Sequence, residues 1–236
     1  MGAIKNVIKS IDGTDELANS QKEIIETLSK LAEAKAETFG FQIRESLQSA
    51  GGPSNATVPI SSIISSTKEI RAFSSSEVAN IGGEVMSAFK SFTSGTAESI
   101  LTGVGTLIGT AIGRLLGEGV VETGTKEDYY VMTDGISVIR IDIKAWYQSV
   151  TTKSLRDKME KISAIVAVKS VVNLAKLDFS TFLYFYQNQL KKSNMTTSEV
   201  VAAIAEAKQI YQEFKDVHKN LAYTPSMLNV PPASQS

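Results

Sequence analysis

Four glycines, Gly105, Gly109, Gly113 and Gly117, recur every fourth residue within residues 100–121, and no charged side chain falls between positions 99 and 113. On a helix this spacing places all four on one face and leaves a groove there, a pattern suited to close approach of another backbone, above all in lipid. Leu107, Ile108 and Ile112 supply apolar surface between the glycines. Each glycine costs about 1 kcal/mol relative to alanine in a helix interior. Close packing in a core, insertion into a bilayer, or a loop that is not helical would each offset that cost. A spanning helix needs about 20 apolar residues, and Arg114 and Glu118 interrupt the run too early for a resident span. Arg114 can pair with Glu118 four residues on, or reach an interface with its charged head. Two readings stay open, a buried core element and an element that inserts on assembly.

The pattern around this segment reads as mainly α, an elongated helical bundle with one β-hairpin. Residues 1–49 form an amphipathic N-terminal helical unit, with Leu17, Ile24, Ile25, Leu28, Leu31, Phe39, Ile43 and Leu47 at helical steps and Asp15 as N-cap. Residues 50–57, with Gly51, Gly52 and Pro53, form a linker. Residues 58–221 read as the bundle, holding a weakly helical stretch at 60–73, a helix at 75–92, the glycine-rich segment at 99–121, helical periodicity at 154–190 and a final helix at 197–218. Within it, Ile139, Ile141, Ile143 and Ala145 alternate with Arg140, Asp142 and Lys144, a period of two. Asp134-Gly135 just before them is a tight-turn dipeptide, which predicts a hairpin over 129–147. Residues 222–236 carry three prolines and read as a disordered tail.

Composition narrows function mainly by exclusion. Among 236 residues, 24 basic and 25 acidic side chains nearly cancel, so no long-range field would gather a nucleic acid. There is no cysteine, hence no disulfide, thiol chemistry or cysteine-bound zinc. The N-terminus lacks a Sec-type apolar stretch. That predicts a chain soluble as synthesised, released by another route if it acts on a foreign membrane and otherwise cytoplasmic. The single histidine, His218, sits among charged neighbours in the last helix and reads as a solvated residue. Residues 119–126 approach a phosphate-binding loop, but Thr125 and Lys126 stand in the wrong order. No metal-ligand cluster is legible. We therefore expect no enzyme activity and no cofactor.

Long amphipathic helices flanking an apolar segment and a hairpin resemble, in element order, the α-helical pore-forming toxins of the cytolysin A and haemolysin BL type. The resemblance spans most of the chain and rests on no motif. It implies a soluble form that oligomerises, alone or with companion proteins, and inserts an apolar segment into a target membrane. The competing expectation is a self-assembling structural protein whose glycine groove packs subunits into a filament, shell or lattice.

Overall fold

The computed structural model describes residues 2–9, 11, 16–74, 89, 92, 123–134, 137–151, 155, 159–189 and 195–222. In chain order these form α1 (Gly2–Lys9), α2 (Glu16–Ser49), β1 (Ile60–Phe73), β2 (Thr123–Asp134), β3 (Ser137–Ser149), β4 (Lys161–Val172), α3 (Phe179–Gln189) and α4 (Thr197–Ala222). The strands make one antiparallel sheet in the order β1-β4-β3-β2. The expected elongated helical bundle is therefore wrong. The molecule is a mixed α/β fold whose sheet runs through the region read as bundle, and mainly-helical character no longer supports the toxin resemblance.

The correction has a physical source at β4. Every residue from Lys161 to Ser170 is buried, because this central strand is covered on both faces. A doubly buried strand is a near-continuous apolar run without alternation, so its residues fit a helical period as easily as an extended one. Its β-branched content, Ile162, Ile165, Val166, Val168, Val171 and Val172, is what favours the strand. Likewise β1 replaces the weakly helical reading of 60–73, and its isoleucines and threonine suit a pleated surface.

One sheet face is covered by helices from both ends of the chain. Ala18, Ile25, Ala32, Ala36, Phe39, Ile43 and Leu47 of α2 pack on Ile70, Ala72, Trp146, Ile162, Ala164, Val166 and Val168. The small side chains Ala32 and Ala36 let the helix lie close to the strands. At the other end of the same face, Phe182 of α3 and Ala207 and Tyr211 of α4 cover Val138 and Val172. Tyr211 donates its hydroxyl to the Leu177 carbonyl and packs against Phe179 and Phe182 with ring centroids 5.4 and 5.2 Å apart.

Arg140 and Asp142 sit on this face between the two helical covers, 1% and 7% exposed. The Arg140 Nε lies 2.9 Å and its Nη2 2.6 Å from Asp142 carboxylate oxygens, Nη1 donates to the Val58 carbonyl at 2.7 Å, and the guanidinium stacks 4.2 Å from the Tyr129 ring centroid. Burial pushes the Asp142 carboxyl up from its ordinary value, and the Arg140 hydrogen bond and charge oppose that. The alternation seen in sequence thus marks a strand, and its Arg140 and Asp142 form a buried ion pair.

Helix ends are fixed by side chains. At α2, Gly51 takes a φ of 77°, and the Asn55 amide donates to the Ser46 carbonyl at 2.8 Å. At α4, Thr196 and Glu199 form a reciprocal capping box, with the Thr196 amide 2.9 Å from the Glu199 carboxylate. At α3, Asp178 accepts from the Thr181 amide at 2.9 Å and from its hydroxyl at 2.6 Å, and these bonds hold its carboxyl below its ordinary value. A depressed carboxylate stabilises the fold above the unfolded value of 3.8 and loses that contribution as pH falls through the folded value. Asp178→Ala is expected to lower stability by about 1 kcal/mol near neutral pH. In chemical denaturation the gap from wild type should close as pH drops below 3.8.

Candidate functional site

Two strand ends define the candidate site, since the chain leaves the sheet at Phe73 and rejoins it at Thr123. Phe73 pairs with Lys161, Lys161 with Ser149, and Thr123 with Gln148, so departure and return lie at the same end of the sheet on opposite edges. The gap is three strand spacings, about 14 Å.

Both points are anchored. Phe73 is fully buried, and its carbonyl accepts from the Glu160 amide at 2.7 Å. The Thr123 hydroxyl donates to the Tyr147 carbonyl at 3.0 Å and accepts from the Trp146 indole at 3.1 Å. Gly124 lies against the Tyr147 ring, where a Cβ would fall 2.7 Å from a ring carbon. Any larger residue there would push the ring off the strand.

From this end toward the other, the second sheet face presents Tyr147, Ala145, Ile143, Ile141 and Ile139 of β3 with Ile165 and Ala167 of β4, in one cluster with Phe73, Phe89 and Phe92. Phe89 and Phe92 belong to the excursion that carries the glycine-spaced segment, and their rings meet edge to face at 5.9 Å. This apolar face also holds cations. The Lys161 and Lys169 side chains are buried, with their ammonium groups 5.6 Å from the Tyr147 ring centroid and 6.0 Å from that of Phe92. The Arg71 guanidinium stands 5.9 Å from the Phe73 centroid.

No protein-family model, curated protein or solved structure matches the chain.

Gly105, Leu107, Ile108, Gly109, Ile112, Gly113, Arg114 and Gly117, the residues expected to insert or assemble, lie outside the described residues, as does Gly135. Asp134 is the last residue of β2 and pairs with Ser137, so Gly135 and Ile136 stand between the two strands. Residues 123–126 of the apparent phosphate loop are strand, which presents no cradle of amides to a phosphate. Among the described residues no cluster of three metal-ligating side chains occurs, and no helix is long and apolar enough to cross a membrane.

Sequence reasoning did not find the buried cations on the second face or the clamp at Thr123. The first had a faint signal, lysines at both ends of an apolar run. The clamp depends on which strand faces Thr123, and position along the chain does not show that.

Proposed function

We propose that the protein is membrane-active, that its sheet is a fixed scaffold, and that residues 100–121 enter a lipid bilayer when the excursion between β1 and β2 leaves the second sheet face. The observation that carries this reading is the anchoring of both ends of the excursion at one end of the sheet. Every described ladder pair joins β1 to β4, β4 to β3 or β3 to β2, so the described ladder is complete without a residue of the excursion between its two edges. Displacement costs the contacts of Phe89 and Phe92 on the second face and leaves the described ladder pairs in place.

That cost also supplies a drive toward association. Uncovering Ile139, Ile141, Ile143 and Ile165 returns apolar surface to water at about 25 cal/mol per Å². Burying it again, against lipid or against neighbouring copies, recovers the loss. Lys161 and Lys169, uncovered with it, would then meet anionic headgroups.

Dye release from vesicles containing anionic lipid tests the reading. Wild type is expected to release dye. Gly109→Leu, which fills the glycine groove while adding hydrophobicity, is expected to reduce release severalfold, because close packing rather than greasiness is what the spacing provides. Absence of release by wild type at every pH and lipid composition would contradict the proposal.

A further inference from the structure

Beside β1, a groove of about 470 Å³ opens between α2 and the sheet, lined by Glu37, Gly40, Phe41 and Arg44 from the helix and by Ser66 and Lys68 from β1. Three features of its helical wall are unusual. Gly40 lies inside a long helix, yet a Cβ there would meet nothing within 4 Å, so packing within the chain does not require glycine. Phe41, next to it, is 68% exposed. Glu37 and Arg44 have no ion-pair partner among the described residues.

Positions 37, 40, 41 and 44 fall on one helical face, three to four residues apart. The order along it is acid, hole, knob, base. Turning this patch end over end about a point between Gly40 and Phe41 exchanges Glu37 with Arg44 and Gly40 with Phe41. The patch is complementary to itself, in charge and in shape.

We propose that the groove is the interface of a two-fold homodimer in which the α2 helices run antiparallel, each Phe41 enters the space beside Gly40 of the partner subunit, and Glu37 pairs with Arg44 across the axis. The neighbouring edge fits the same axis. Residues 60–67 of β1 carry no charge, and Ile63 and Ile64 are 41% and 51% exposed. The opposite edge strand, β2, shows Lys126, Glu127 and Asp128 to solvent, the usual protection against edge-to-edge pairing, which residues 60–67 of β1 lack; the charges of β1 begin at Lys68. A two-fold normal to the sheet keeps both α2 helices on one face and brings the uncharged edges together. The interface needs no lipid, so it stands independently of the membrane reading.

Light scattering coupled to size exclusion in lipid-free buffer tests it. Wild type is expected at twice the chain mass of 25.4 kDa. Gly40→Leu should run as a monomer with an unchanged circular dichroism spectrum, since the added side chain points into open space and leucine favours the helix. Glu37→Arg should weaken the dimer by about tenfold or more, as like charges face each other. Glu37→Arg with Arg44→Glu should restore it, an effect that a purely structural role for either residue would not produce. A monomeric wild type, a Gly40→Leu variant that still dimerises, or a double exchange no stronger than the single one would each overturn the proposal.

Discussion

Arg140→Met is expected to destabilise the fold by about 3–5 kcal/mol, measured by chemical denaturation at neutral pH. The substitution keeps most of the side-chain volume but strands Asp142 in the seam between two helical covers. It also removes the donor to the Val58 carbonyl, which ties the lead-in of β1 to β3. Burial already lifts the Asp142 carboxyl, and loss of the guanidinium lifts it further. A carboxyl whose folded value is raised is stabilised in its protonated form, so ionisation costs stability as pH rises from 3.8 through the folded value. The deficit should therefore shrink toward acid pH, where Asp142 is neutral. Replacing the pair together, Arg140→Met with Asp142→Leu, is expected to recover most of the loss, because two apolar side chains carry no desolvation cost. A double variant as unstable as the single one would show that the pair is more than a compensated burial.

Phe73→Ala is expected to cost about 3–5 kcal/mol, the usual range for a buried phenylalanine. Phe73 is fully buried, closes the end of β1, and belongs to the second-face cluster that also holds Tyr147, Ile165 and the two phenylalanines of the excursion. The cavity would open where the excursion leaves the sheet, under the same face that the proposal uncovers. Thermal unfolding should show the loss. Vesicle release, measured at a temperature where the variant is folded, should quicken, because fewer contacts then hold the excursion in place. Slower release from a folded variant would count against displacement from this face.

These expectations depend on features that the sequence shows unequally. The helices α2 and α4 are legible because each buries one stripe, so Ile25, Ala32, Phe39 and Ile43 recur at seven- and four-residue steps. The hairpin around Asp134 is legible because turn chemistry is local. By contrast β4 is hidden, since a strand buried on both faces loses the alternation that identifies strands. In β1 the serines mask the signal, and only the isoleucines and Thr67 hint at extension. The alternation of Arg140 and Asp142 marks a strand but not which face it buries, because that depends on two helices distant in sequence. Gly40 and Phe41 are visible as an odd pair inside an amphipathic helix. Their meaning comes from β1 lying opposite, which no local pattern records.

Hydrogen exchange read by mass spectrometry, with and without anionic vesicles, tests most directly whether the sheet is a scaffold from which the excursion departs. The expected result is unchanged protection of the β3 and β4 amides, with altered exchange confined to residues 74–122 when vesicles are present. Loss of protection in β3 and β4 together with the excursion, or identical exchange throughout in the two conditions, would contradict it.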